Sequence, residues 1–196
     1  WQMMDVRKLD WKGWVDLSVD IARWDVGLDG APEAGLQQAH GDLRKSLNID
    51  FSRFIEDQYG PWVHAFAKGA ITDRPLLSCD VVRHAVVPHL KENKRVVFIV
   101  IDCMRLDQWF TLEPLLEDWF DIQREYYCSI LPTATPYSRN SIFSGLLPAQ
   151  MFQQHPELWQ ESSNDERTKN RYERQFLDLQ LERLRVKLDR GTKYLK

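Results

Sequence analysis

Residues Arg95 to Asp102 read RVVFIVID, and the architecture expected of the whole chain turns on them. A short run of β-branched and aromatic residues between charged groups is the pattern of a strand buried on both faces in a parallel sheet. It predicts an α/β fold, because an all-helical scaffold would leave the run unexplained. Asp102 then falls at the carboxyl end of the strand, where open α/β sheets bind their ligands.

Downstream, the spacing of apolar residues predicts a helix from Leu106 to Trp119, and FDIQREYYCSI, from Phe120 to Ile130, supplies a second, shorter strand. This βαβ order implies an open sheet with helices on its faces. Another helix should begin at Thr135 and stop within SGLLP, Ser144 to Pro148. Gln153 to Lys169 reads as a polar surface excursion. Tyr172 to Leu188 reads as a helix with Phe176, Leu179, Leu184 and Leu188 on its inner side. GTKYLK, from Gly191 to Lys196, looks like the opening of a further strand, so the sheet is expected to be incomplete within this chain.

Upstream, Trp11, Trp14, Val15, Leu17, Ile21, Trp24 and Leu28 recur at helical spacing. From Ala39 to Phe66 the habit repeats in Leu43, Leu47, Phe51, Phe54, Ile55, Trp62, Val63 and Phe66, with an interruption expected at Gly60-Pro61. Glycines and a proline between Gly27 and Gly35 mark the connection. Together these segments predict a helical bundle whose tryptophans are core rather than ligand platforms. TDRPLL, after Gly69, reads as a linker or turn, and Ser78 as the cap of a helix that stops near Pro88. The expected division is residues 1–72 for the bundle and 73–196 for the α/β part.

With 196 residues, 43% of them hydrophobic, the chain can bury one real core. A net charge of −3 leaves no electrostatic footprint for nonspecific nucleic-acid binding. Cys79, Cys103 and Cys128 form no CxxC pair, which argues against structural zinc or redox chemistry and fits a cytoplasmic protein. No apolar run approaches the roughly 18 residues of a membrane span, and no secretory signal opens the chain. Beginning at Trp1 rather than at a methionine, it is expected to be cut from a longer one.

The chemistry-bearing residues concentrate around PTATPYSRNSIFSGLLP, Pro132 to Pro148. Thr135 precedes a proline, which is favoured at the first helical position, and is therefore expected at the N-cap. Its hydroxyl can accept from a backbone N–H of the first turn, and the same free donors attract anions. Thr135 reads either as a cap or, activated by a metal, as a nucleophile that forms a covalent phosphoenzyme. Asp102 reads either as a carboxylate that holds a cation against a phosphate or as a cap of the following turn. Arg139, one turn beyond Thr135, is a charged fork for a phosphate oxygen or an exposed helix arginine. Ser138 and Asn140 are further donors to the same oxygen. Arg105 and Asp107 either surround Asp102 or form a solvated pair, with Asp107 read as structural.

Taken together, VFIVIDCMRLDQW and SILPTATPYSRNSIFSGLLP resemble the PglZ domains of the alkaline phosphatase superfamily. The resemblance implies that Asp102 is a metal ligand and that Thr135, the second threonine of PTAT, is both nucleophile and ligand. It implies two divalent ions, zinc by family, in a complete domain. The Trp-rich helices, FIEDQYGPWV and the VVPHL helix resemble the middle and effector regions of PorX-like response regulators, in which a receiver, a helical bundle and a PglZ effector follow one another and which are associated with control of type IX secretion.

The implied partners are a phosphoester substrate, with nucleotides and oligonucleotides among the classes, an upstream receiver domain with its sensor kinase, and a second copy joined through the bundle; membrane insertion is not implied. Two departures stand out. Ser138 occupies a position where related phosphodiesterases often have Asn, and nothing after Thr135 supplies the later Asp and His ligands, His155 reading as a surface histidine. The expected function is that of part of a two-component response regulator with a metal-dependent phosphodiesterase effector, this chain alone being nearly inactive and without bound metal. The alternative is a non-catalytic signalling module regulating type IX secretion.

Overall fold

The structure is a computed structural model that describes residues 5–28, 34–70, 72–159, 170–188 and 191–195. Its longer helices are α1 (Trp11–Leu28), α2 (Ala34–Ala67), α3 (Val87–Lys91), α4 (Leu106–Leu112), α5 (Thr135–Ser144), α6 (Pro148–Gln154) and α7 (Glu173–Arg183). The chain divides into two compact units. One comprises Trp1–Pro75 with Cys103–Tyr126, the other Leu76–Asp102 with Tyr127–Lys196.

In the first unit the apolar stripes of α1 and α2 meet as their spacing predicts. Trp14, Leu17 and Leu47 are buried, with Ile21, Leu43, Phe51 and Phe54 packed around them. The Trp14 ring lies 5.2 Å from Phe51 and 5.9 Å from Phe54, centroid to centroid. Such aromatic pairs add about 0.5–1.5 kcal/mol beyond the area they bury. Asp25 of α1 ties the pair at its edge, meeting His40 Nε2 at 2.8 Å and accepting from Arg44 at 2.9 Å.

The interruption expected at Gly60-Pro61 does not occur, because α2 runs through Pro61 to Ala67. Proline there forfeits one i−4 hydrogen bond. Trp62 is buried beside it and meets Phe54 of the same helix edge-on at 5.8 Å. Residues 29–33 of the expected connection lie outside the described residues. α4 is shorter than the helix expected from Leu106 to Trp119. Glu113–Leu115 tightens into a 3₁₀ turn around Pro114, whose missing N–H ends the α ladder.

The α/β expectation is overturned. Among the described residues there is no ladder and no sheet, and the regular structure is helical. RVVFIVID follows α3 as an irregular segment that alternates in burial. Val96, Phe98 and Val100 are half-buried against the helices, whereas Val97, Ile99 and Ile101 are 85%, 73% and 57% exposed. The run is thus covered on one face only, not on both as expected, and only hydrogen bonds from a neighbouring chain would make it a strand. The other two candidates supply none. FDIQREYYCSI contributes the isolated parallel bridge Leu77↔Cys128, with Cys128 N donating to Leu76 O at 2.8 Å, and residues 191–195 enter no ladder.

Helix packing therefore builds the second unit. One cluster gathers Val82, Val86, Val87, Ile142 and Leu181, and another Phe143, Leu146, Met151, Trp159 and Phe176; Phe98 lies against both. α5 ends at Gly145, whose left-handed φ of 63° suits glycine. Polar groups of α7 cover the carbonyls left open there. Arg183 Nη2 donates to Ser144 O, and the Gln180 amide nitrogen, turned inward, donates to Phe143 O at 2.8 Å and Ile142 O at 3.2 Å. α7 stops at Arg183 rather than Leu188, since Arg185 turns out with φ 55°. Residues 160–169 of the polar excursion lie outside the described residues.

Candidate functional site

The start of α5 differs from the expected cap. Ala134, not Thr135, is the N-cap, because Ala134 O already accepts from Tyr137 N at 2.9 Å and Ser138 N at 3.0 Å. Thr135 is the first helical residue, followed by Pro136. No hydrogen bond of the Thr135 hydroxyl is seen among the described residues, and Ala134 brings no capping side chain. With Tyr137 N and Ser138 N bonded to Ala134 O and Pro136 lacking an N–H, the first turn keeps the Thr135 N–H uncovered, beside a hydroxyl held at the positive end of the helix.

Two of the neighbouring donors serve their own chain. Ser138 Oγ donates to Thr133 O at 3.1 Å and Ala134 O at 3.4 Å, bracing the loop before the helix. Asn140 is fully buried and its Nδ2 donates to Pro136 O at 2.7 Å.

Arg139 lies four residues after Thr135 and so on the same helix face. Its guanidinium is gripped by Glu173, the first residue of α7: Nε to Oε1 is 2.7 Å and Nη2 to Oε2 is 2.8 Å. The Glu173 side chain is 0% exposed and that of Arg139 21%. On the open side, Arg139 Nη1 reaches Asp102 Oδ2 at 3.3 Å, bringing together residues that are 37 apart in sequence. Tyr194 Oη donates to Glu173 Oε2. The Glu173 hydrogen bond, ahead of the contrary effect of burial, raises the Arg139 pKa above the usual arginine value. Burial first, and the bond to Glu173 second, push the Tyr194 hydroxyl up to about 12.

Of the residues singled out from sequence, Asp102 and Arg139 are thus in contact, and Thr135 shares a helix face with Arg139. Arg105 belongs to the other unit, where Nε and Nη2 fork onto the Asp107 carboxylate at 2.9 and 2.6 Å. That bond holds the Asp107 carboxyl below the usual range. His155 is half-buried rather than on the surface, edge-on to the buried Phe176 at 6.3 Å. Glu173 and Tyr194 escaped the sequence reading. The available sign was spacing: Glu173, Phe176 and Gln180 fall on one helix face and all three are buried.

A catalytic zinc ion takes three protein ligands and a structural one four. Among the described residues no group of three His, Cys, Asp or Glu side chains converges in a way that could hold a metal. The Asp102 carboxylate faces a guanidinium at 3.3 Å instead. These residues alone do not complete a zinc shell. No helix among the described residues is long and apolar enough to cross a membrane.

Residues 81–193 match the family model described as the BREX system PglZ alkaline phosphatase-like domain. Residues 2–63 match the one described as the PorX response regulator linker domain. The first match spans Asp102, Thr135, Arg139 and Glu173. A search of curated proteins returned no match.

Proposed function

Because the chain belongs to the family of PglZ alkaline phosphatase-like domains, joined here to a PorX-type response-regulator linker, we propose that it serves a regulator whose effector hydrolyses phosphoesters, most fittingly phosphodiesters. The observation that carries this reading is the contact between Asp102 and Arg139, which brings the two sequence motifs together beside the open first turn of α5. A phosphoryl group at that turn would meet the Thr135 N–H, the positive helix end and one edge of a guanidinium.

In this reading the Thr135 oxygen attacks phosphorus, a P–O bond to Thr135 forms as the ester oxygen leaves with its substituent and takes up the hydroxyl's proton, and water then cleaves the phosphothreonine, its hydroxide joining phosphorus and its proton restoring the Thr135 hydroxyl. The guanidinium offsets the charge that gathers on the non-bridging oxygens. Two zinc ions are part of the proposal, with Asp102 and Thr135 as the ligands this chain would contribute, and no step above is routed through them. A receiver domain with its sensor kinase as input, a second copy across the bundle, a cytoplasmic site and a role in type IX secretion go with the same reading.

The test is turnover of bis(4-nitrophenyl) phosphate by the intact regulator after zinc loading, with metal content measured by elemental analysis. Turnover that falls to background in Thr135→Val supports the enzyme. If the zinc-loaded protein hydrolyses no phosphoester, that reading fails. A second reading, a non-catalytic signalling module, is favoured by one observation: the Arg139 guanidinium stands where a cation would neutralise Asp102.

A further inference from the structure

Glu173 is a fully buried carboxylate at the start of a helix, and stability alone gives little reason for it. Burying an ion pair costs desolvation that the mutual attraction often only just offsets, and apolar side chains of similar volume do as well or better. What the pair does provide is orientation. Glu173 is fixed by its place in the first turn of α7, where a negative charge is favoured, and by the Tyr194 hydroxyl. It takes Nε–H and one Nη2–H of Arg139 on the part-buried side.

Arginine has five N–H donors in one rigid plane, so gripping one edge fixes the direction of the other. That second edge ends at Nη1, on the exposed side. Its contact there, Asp102 Oδ2 at 3.3 Å, is longer than the roughly 2.7–2.9 Å of a strong charge-assisted bond and is solvent-exposed. The inner bonds are short and part-buried while the outer one is long and open. The outer edge is therefore the one an incoming anion can claim, and it lies on the α5 face that carries Thr135.

We infer that Glu173, steadied by Tyr194, is a positioning residue that presents the Nη1 edge of Arg139 to a phosphoryl oxyanion. This deepens the phosphoester reading above and rests on it for the identity of the anion. Glu173 touches no substrate and acts only through Arg139.

The experiment is a calorimetric titration of inorganic phosphate into the full 196-residue chain in chelator-treated buffer, for the wild type, E173Q, R139K and the double variant. Each single variant should bind phosphate about tenfold or more weakly, the scale of one charged hydrogen bond. The double variant should bind no more weakly than R139K, since Glu173 has nothing left to position. Additive losses, an unchanged E173Q with native circular dichroism, or a wild type that does not bind phosphate would each overturn the inference. Should E173Q fold poorly, Tyr194→Phe removes only the steadying hydroxyl and should weaken binding in the same direction by a few-fold; no change there overturns the inference as well.

Phosphodiester turnover by the zinc-loaded regulator separates this from the parent reading. Turnover unaltered by R139K and E173Q would overturn the inference and leave the phosphoesterase standing. Phosphate binding that follows the expected pattern, with no phosphoester hydrolysed, would support the inferred anion site and remove the enzyme.

Discussion

Arg139 and Glu173 hold each other across 34 residues of sequence through two bonds of 2.7 and 2.8 Å, with the carboxylate fully buried. This is one polar joint between α5 and α7, and its energetics are asymmetric. Removing the guanidinium strands a buried charge, at a cost of about 3–5 kcal/mol. Arg139→Met should therefore lower stability by about that amount in urea unfolding. Adding Glu173→Leu should recover most of the loss, since neither charge then remains. A double variant as unstable as the single one would mean that the pair contributes through packing instead.

RVVFIVID offers a second contrast. Phe98 lies against both hydrophobic clusters of the second unit, whereas its neighbours Val97 and Ile99 are among the most exposed apolar residues described. Phe98→Ala should cost up to about 3 kcal/mol, and V97T or I99T should change stability by less than about 0.5 kcal/mol. Equal effects on both faces, read from melting curves, would mean that the outward side chains are covered in solution.

That same segment shows how far the sequence could be read. Its continuous apolar run is visible in the residues and read as a strand buried on both faces, yet Val97, Ile99 and Ile101 are exposed, because pairing and burial are relations between distant segments and leave no mark in one of them. The bundle was legible because Trp14, Leu17, Leu47 and Phe51 lie on stripes whose period is that of the helix. Pro61 misled because a local rule, that proline breaks helices, does not hold beside the buried Trp62. In the site, Asp102, Thr135 and Arg139 stood out through their motifs. Glu173 and Tyr194 did not, because they matter through contacts 34 and 21 residues away, and a buried glutamate looks in sequence like any helix-surface glutamate.

Gly145 can be tested directly. Its φ of 63° already disfavours any side chain, and a Cβ there would run into the Gln180 amide that satisfies the end of α5. The left-handed conformation alone costs about 1–2 kcal/mol. Gly145→Ala should lower Tm by at least about 4 °C in a domain of this size. An unchanged Tm would show that neither the turn nor the Gln180 contact is needed.

Gly60 is the opposite case. It lies inside α2 with nothing within 4 Å of where a Cβ would stand, and its φ is not in the left-handed region. Gly60→Ala should stabilise the protein by about 0.5–1 kcal/mol through reduced freedom of the unfolded chain. Destabilisation in urea unfolding would argue that the turn before Pro61 needs glycine after all.

Tyr194 sets the expected behaviour in alkali. Its hydroxyl, ordinarily titrating near 10.0, is pushed up to about 12 by burial and by donation to Glu173, an acceptor that an ionised tyrosine would repel. Folding therefore favours the neutral phenol. The stability linked to this group is fully present below about pH 10 and is lost as pH rises toward about 12, because the unfolded state releases the proton first. Tyr194→Phe has no such proton. The difference in urea midpoint between wild type and Y194F should stay level up to about pH 10 and then move against the wild type as the pH is raised. A difference that stays constant across the whole alkaline range would mean that the hydroxyl is not held by Glu173 in solution, and it would take with it the steadying role assigned to Tyr194.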